Sequence, residues 1–309
     1  MPFKIFIGLV LCNVIWAANP MMGKYLMQDF HPLQVAWIRY TGALLCFFCL
    51  YFILNRFKYH AIDGVKPITT HEPKSYFWLF LIGCTTFFVS PFFQYEGLSL
   101  SSATENALIV AIEPIFTVML ARILLAEKIY WRQGLAFCVA IIGFFTLSNV
   151  NPFHLYRSFT LFNIGNLFIL IAILAEAAYS SFSKKIITVL QPLQIFGYGL
   201  SIGWLLFTPV VWLKAGLPDI RNFTFFHLLG AFWMGPLGTT AAYIYWITAL
   251  KEVSVAAVSL TLFIQPLQGA ILGYLFMHER LTLLQTIGAL FILSSLLLQI
   301  IPLRKAAKL

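Results

Sequence analysis

Charged residues are scarce in this chain. Of 309 residues, 10% are Asp, Glu, Lys or Arg and 61% are apolar, whereas a typical globular domain is about 25% charged. This composition is that of a membrane protein, so the lipid bilayer is the expected partner. The net charge of +9 would indicate nucleic acid in a soluble protein, but here we expect no nucleic-acid binding.

Motifs for catalysis are also missing. The sequence contains no H-E-x-x-H, no G-x-S-x-G, no Walker P-loop and no aspartate in its predicted membrane cores. The residues that intramembrane hydrolases and ATP-driven pumps require are therefore missing from this chain. The five cysteines are an odd number, and the C-x-x-C of Cys46 and Cys49 has no polar setting, which favours packing over redox chemistry or metal binding. We expect no enzyme, no cofactor and no metal.

Long apolar runs dominate the remaining sequence. A helix needs about 20 apolar residues to cross a bilayer, and ten runs approach that length. We predict an all-α integral membrane protein, a single membrane domain over 1–309, with spans at Phe3–Met22, Pro32–Leu54, Ser75–Gly97, Ala103–Ala121, Tyr130–Val150, Thr160–Phe182, Pro192–Leu213, Phe226–Leu250, Ser254–Met277 and Leu281–Pro302. The first run has a signal peptide as its alternative, but no clear cleavage site follows it.

The basic residues are unevenly distributed between the loops. Fourteen of the 20 Lys and Arg fall at the termini and in the loops that follow even-numbered spans, and five fall in the opposite loops. Because cytoplasmic loops carry the excess of positive charge, we predict a multi-pass protein with both termini in the cytoplasm.

The chain contains an internal repeat. His31–Val35 (HPLQV) matches Gln191–Ile195 (QPLQI) at an offset of 160, and from Leu98 onward the offset is 152 without a gap. Five spans per copy reverse the membrane orientation of the second copy. We therefore predict two inverted five-helix repeats, 1–150 and 160–303, an architecture in which transporter halves rock about a midplane site.

Specific segments resemble a known family. They are IWAANPMMGKYLMQDFHPLQVAWIRY, with Trp16, Lys24, Pro32 and Arg39 in register, and the two Pro-to-Glu segments Pro114–Glu127 and Pro266–Glu279. The chain resembles the EamA type of the drug/metabolite transporter superfamily, although Ala17 stands where the family often has Gly. The resemblance implies ten spans in two EamA-like repeats and carriage of solutes across a bacterial cytoplasmic membrane, commonly as export. It does not imply a substrate.

The fourth span carries a carboxylate beside a helix breaker. Asn106, Glu113 and Thr117 share one face of the predicted helix, and Pro114 leaves the carbonyl of Val110 without a donor. Charge and irregular backbone are tolerated at membrane depth where they line a wet cavity. We predict that this face lines the substrate path, with a structural acid bonded to a neighbouring helix as the alternative.

Other polar side chains lie inside the predicted spans. The predicted path also contains Trp16, Asn19, Glu176, Tyr179, Tyr243, Trp246, Gln265 and Gln268. The glutamines have interhelical bonding as an equal alternative, and Pro266 is the second predicted helix break. For Arg39 we favour a structural ion pair or snorkelling over an anionic substrate group. Lys184 and Glu127 lie near predicted interfaces, where membrane anchoring and solvation are the simplest expectations.

These features predict a secondary transporter that works by alternating access. Two acids and one base within the spans favour zwitterionic or cationic small molecules, such as amino acids or amines, and protons are a candidate coupling ion. The alternative is a lipid-handling or accessory scaffold protein. The substrate and the oligomeric state are not defined by the sequence.

Overall fold

The computed structural model describes residues 1–56, 73–101, 106, 109–147, 164–219, 221, 223–268 and 282–300. Residues 269–279 of the second Pro-to-Glu segment, which include Glu279, lie outside these residues. Within the described part of the chain all regular structure is helical.

The described residues form α-helices that follow one another along the chain. In chain order they are α1 (Phe3–Ala17), α2 (Asn19–Leu26), α3 (Pro32–Arg56), α4 (Pro73–Cys84), α5 (Ser90–Leu100), α6 (Glu113–Leu125), α7 (Trp131–Leu147), α8 (Ile164–Ile186), α9 (Pro192–Ala215), α10 (Phe225–Phe232), α11 (Ala242–Glu252), α12 (Val255–Ser259) and α13 (Leu283–Ile300). A π-helix, Thr85–Val89, joins α4 to α5, and a second, Trp233–Ala241, joins α10 to α11.

Five helical segments of the described chain are long and apolar enough to cross a membrane: Phe3–Leu26, Pro32–Leu54, Lys74–Leu100, Ile164–Ile186 and Pro192–Ala215. Shorter apolar helices lie at Trp131–Leu147, Val255–Gln268 and Leu283–Leu298. The predicted span Thr160–Phe182 ends too early, because its helix continues to Ile186, and the predicted start at 160 lies outside the described residues. The total of ten spans and their inverted order stay predictions.

Both π-helices occupy related places in the sequence. At the offset of 152, Thr85–Val89 corresponds to residues 237–241, which lie inside Trp233–Ala241. A π-helical turn contains an extra residue compared with an α-helix, and such turns are frequent at functional sites. The hydroxyl of Thr239 donates to the carbonyl of Met234, five residues earlier, at 2.8 Å. Each π-helix therefore changes the direction of the side chains in the helix that follows.

The two predicted helix breaks differ in form. Before Pro114 the helix is interrupted by turn residues at 111 and 112, and α6 restarts at Glu113 with the proline in its first turn. Proline is favoured at that place because its missing N–H would have no helical partner there. Pro266, in contrast, lies within a continuing helix, and the irregular backbone is the preceding 3-10 segment Leu260–Phe263.

The core lies between the two halves of the chain. Helix α8 packs against α5 and α6, and α9 packs against α3 and α4. The largest buried apolar cluster unites residues of both halves around Phe87, Phe196 and Trp246. Large apolar side chains on the outer surface, such as Leu205 and Leu213, are exposed, as expected for helices whose outer faces contact lipid.

Helices α7 and α13 approach closely at two glycines. A Cβ on Gly288 would lie 2.3 Å from the backbone nitrogen of Leu147 and 2.7 Å from the carbonyl oxygen of Gly143. Small residues at a helix crossing let the backbones approach in a membrane. The close contact between α7 and α13 therefore depends on glycine, which has no side chain, at position 288.

We expect Gly288→Leu to destabilise the protein by roughly 1 to 3 kcal/mol or more, because the new side chain must separate the two backbones. Thermal unfolding in detergent, followed by tryptophan fluorescence, measures the effect. Gly134→Leu on α7 is the matched control, since a Cβ on Gly134 meets nothing within 4 Å. Equal melting temperatures for the two variants would contradict the packing argument.

Candidate functional site

A cavity of about 140 Å³ lies among the central helices. Its walls combine charged, hydroxyl, amide and aromatic side chains. They are formed by Trp16, Asn19, Pro20, Arg39, Tyr40, Ser90, Pro91, Gln94, Tyr95, Leu98, Val110, Glu113, Ile173, Glu176, Tyr179, Ser180, Tyr243, Trp246, Leu262 and Gln265. Both halves of the chain contribute residues to these walls, so the cavity lies at the interface between the two halves.

Glu113 has a carboxylate that faces the cavity without a hydrogen-bond partner in the described part of the chain. It is the first residue of α6, immediately after the turn at 111 and 112. The first turn of a helix favours negative charge, because its unpaired N–H groups point along the positive end of the helix dipole. The interrupted helix therefore holds an acid that is free to bind a cation or a proton.

Glu176, the second acid of the cavity, is held by a hydrogen bond. The hydroxyl of Tyr243 donates to Oε1 of Glu176 at 2.5 Å. Tyr243 belongs to α11, which the second π-helix positions, whereas Glu176 belongs to α8. The two carboxylates of the cavity thus differ: Glu176 is fixed by a neighbouring helix, and Glu113 is not.

In the described part of the chain Arg39 forms no ion pair, which was one of the two arrangements that we favoured from the sequence; the other was snorkelling. Among the described residues no carboxylate lies within 4.0 Å of its guanidinium. Its Nε instead donates to Oγ1 of Thr239 at 2.8 Å, and its Cζ lies 5.3 Å from the centre of the Tyr40 ring. A hydroxyl that the π-helix turns inward replaces the expected acid, so the positive charge is not neutralised by a salt bridge.

Aromatic rings form the inner end of the cavity. The Trp16 ring centre lies 5.2 Å from that of Trp246 and 5.4 Å from that of Tyr243. Nε1 of Trp16 donates to the carbonyl of Gly238 at 2.6 Å, and Nε1 of Trp246 donates to Oγ of Ser180 at 2.9 Å. The indole edges are fixed by these bonds, which leaves the ring faces for contact with a bound molecule.

Two lining residues keep unused polar atoms. Oδ1 of Asn19 and the hydroxyl of Tyr179 are buried and have no hydrogen-bond partner among the residues that the structure describes. Buried polar groups are normally bonded. These atoms, together with Glu113 and Arg39, are therefore suited to a polar solute.

Three residues of the predicted path lie outside the cavity walls. Asn106 is 3% exposed and accepts from Nε2 of Gln94, a lining residue, at 3.3 Å. Thr117 is buried one turn below Glu113. Gln268 donates to the carbonyl of Val14 at 2.9 Å, which is the interhelical alternative. The interruption at 111 and 112 separates only Asn106 from Glu113. Thr117 and Gln268 remain in the same helices as Glu113 and Gln265, but the cavity walls do not extend that far along either helix.

Gln265 lines the cavity and also bonds between helices. Its Nε2 donates to Oδ1 of Asn13 at 3.1 Å. The remaining predicted path residues, Trp16, Asn19, Glu176, Tyr179, Tyr243 and Trp246, lie in the walls.

Four residues of the cavity walls were not predicted from the sequence: Tyr40, Ser90, Gln94 and Tyr95. Ser90 and Gln94 are one helical turn apart in the third apolar run, and this polar spacing was the available signal. Tyr40 and Tyr95 gave no such signal because tyrosine is common at membrane interfaces.

The described residues do not offer a metal site. Among them there is no group of three or more His, Cys, Asp or Glu side chains that could hold an ion.

The fold and the cavity define a multi-pass membrane protein with a polar chamber between its two halves. The sequence profile described as the EamA-like transporter family matches residues 3–149 and again 163–301. The chain belongs to this family, whose members include transporters of the drug/metabolite type.

Named relatives cover most of the chain. Protein PecM of Dickeya dadantii (strain 3937) is 28% identical over 73% of this chain and 74% of its own. The S-adenosylmethionine uptake transporter of Rickettsia bellii (strain RML369-C) is 26% identical over 90% of this chain and 87% of its own. A crystal structure with 15% identity shares the fold, with a TM-score of 0.70 and 96% of both chains covered.

Proposed function

We propose that the protein is a secondary transporter that carries small zwitterionic or cationic metabolites, such as amino acids or amines, across a bacterial inner membrane by alternating access. Export is the proposed direction, both termini lie in the cytoplasm, and protons are the proposed coupling ion. Membership of a transporter family supports the carrier function.

The observation that carries the proposal is the unpaired charge in the cavity. Glu113 has no hydrogen-bond partner in the described chain, and Arg39 has no carboxylate within 4.0 Å there. An unpaired charge is costly away from water. A solute that brings an ammonium to Glu113 and a carboxylate to Arg39 satisfies both groups at once.

The aromatic walls support an organic solute. Cations bind favourably over the faces of Trp and Tyr rings, and the cavity holds Trp16, Trp246 and Tyr243 beside the two acids. A relative named as an S-adenosylmethionine uptake transporter is consistent with a substrate that combines an amino acid group with a further positive charge.

Counterflow in liposomes tests the proposal. Purified protein is reconstituted with a pool of amino acids, amines, sulfonium compounds and nucleosides inside, and isotope-labelled pools are added outside. Mass spectrometry then identifies which solutes exchange. We expect zwitterionic or cationic solutes to exchange faster than in protein-free liposomes. Exchange of neutral nucleosides alone would contradict the substrate class.

Absence of all exchange by folded protein would favour the alternative, a lipid-handling or accessory scaffold. Circular dichroism and a single gel-filtration peak establish folding in that case. A scaffold should also tolerate Glu113→Gln in an assay of partner capture.

A further inference from the structure

An ion pair joins the two halves of the chain at one end of the bundle. Nζ of Lys184 lies 2.9 Å from Oε1 of Glu127 and donates to the carbonyl of Val253 at 2.7 Å. The two carboxylate oxygens of Glu127 also accept from the backbone N–H of Val255 at 3.2 and 3.0 Å. Glu127 lies in the first half, and the other three residues lie in the second. We call these four residues the Glu127 clamp.

The Glu127 clamp lies directly beyond the inner end of the cavity. Lys184 follows the lining residue Ser180 by four residues of α8, about 6 Å along the axis. Val253 follows Trp246 by seven residues, and Val255 precedes Leu262 by seven. The helices that carry Ser180, Trp246 and Leu262 therefore have their nearest ends at the Glu127 clamp.

Apolar side chains fill the space between the inner end of the cavity and the Glu127 clamp. Ala121, Leu250 and Val258 are nearly fully buried and belong to the same packed cluster as Trp246 and Val255. A second polar link strengthens this end, because Nε2 of Gln133 in the first half donates to Oγ of Ser254 at 3.0 Å. In this structure the cavity is closed towards the clamp.

The opposite end of the cavity also carries a contact between the two halves. Cavity walls continue along α5 to Leu98, two residues before that helix ends at Leu100. Near this end, Nε2 of His227 in the second half lies 3.0 Å from Oδ2 of Asp29 in the first half. The two halves are therefore joined by a polar contact at each end of the cavity.

We propose that the Glu127 clamp is the gate on this side of the transport path and must open in each transport cycle; this inference rests on the proposed carrier function. Both side chains of the pair are partly exposed, at 20% for Glu127 and 25% for Lys184. Because the pair is not fully buried, separating its two charges costs less free energy than separating a fully buried ion pair. A solute released at this end passes between the two halves that the clamp joins.

A reversible cross-link tests the gate. Glu127→Cys and Lys184→Cys are introduced together into a variant whose five native cysteines are replaced, and a short bis-methanethiosulfonate joins them. We expect solute counterflow to fall at least about tenfold and to recover when the linker is reduced. The control pair is Gln191→Cys with Lys251→Cys, whose native side chains are hydrogen-bonded at 2.8 Å within the second half. Undiminished counterflow in the Glu127–Lys184 cross-linked protein would overturn the gate.

A second readout needs no known substrate. A single cysteine at Leu262, in the cavity wall, reports access when a membrane-impermeant maleimide is added on the clamp side. Glu127→Gln and Lys184→Gln should each raise its labelling rate about fivefold, since a partly exposed pair contributes on the order of 1 kcal/mol. The charge-matched controls are Glu252→Gln and Lys185→Gln, at exposed residues near the same end.

The two readouts separate two kinds of failure. If the reduced protein moves no solute, the proposed carrier function fails, and the labelling rates alone decide whether the clamp controls access. Unchanged labelling in both neutralised variants would exclude the clamp as a gate.

Discussion

Glu113→Gln should abolish solute movement driven by a pH gradient while exchange of the same solute continues. Glutamine has nearly the same shape as glutamate and cannot bind and release a proton. Exchange requires only that a loaded carrier reorient, whereas net coupled transport requires the proton to travel on the protein. Glu113 suits this role because its carboxylate faces the cavity without a partner in the described chain.

The measurement uses proteoliposomes and the solute that counterflow identifies. Uphill accumulation under an imposed pH gradient is compared with counterflow at equal pH on both sides. Glu252→Gln is the matched control, because Glu252 is exposed at the end of α11 and outside the cavity walls. An equal loss of accumulation and exchange in Glu113→Gln would exclude a role restricted to coupling and would indicate that the acid binds the solute itself.

Arg39→Gln should discriminate between solutes according to their carboxylate. We expect exchange of amino acids to fall by roughly 30-fold or more, because removing one partner of a buried charge pair costs about 2 to 5 kcal/mol. An amine of the same carbon skeleton without the carboxylate should lose much less. The reason is that Arg39 is the only cation among the cavity-lining side chains in the described structure.

Initial counterflow rates of paired solutes, such as an amino acid and its decarboxylated amine, measure this difference. Because Arg39 also bonds Thr239, folding is checked by the melting temperature, and Thr239→Val serves as the control that removes only this bond. If amino acid and amine decline equally in Arg39→Gln, the arginine supports the structure and does not bind the carboxylate.

The acids of the cavity were predictable because charge inside an apolar run has few explanations. Glu113 and Glu176 stand out in their spans, and both lie in the cavity walls. The aromatic residues Trp16, Tyr243 and Trp246 were predicted from their position on polar helix faces. Each of these predictions used only the sequence of a single span.

Contacts between distant segments were not predictable in this way. Glu127 and Lys184 are 57 residues apart, and each alone resembles an ordinary interfacial charge. The bond from Arg39 to Thr239 spans 200 residues and depends on the direction that a π-helix gives to one hydroxyl. Local periodicity also placed Thr117 and Gln268 on the path, because it indicates which residues share a helix face and not how far along the helix a cavity extends.

The nine-residue π-helix Trp233–Ala241 sets the direction of α11. A π-helical turn contains one residue more than an α-helical turn, and the side chains of an α-helix advance by about 100° per residue. If the segment became a regular α-helix with all nine residues kept, α11 would rotate by about that angle, and Tyr243 and Trp246 would turn away from Glu176 and Ser180. Loss of one residue in the same conversion would restore their direction, so the length of this segment and its π-helical geometry are matched to each other.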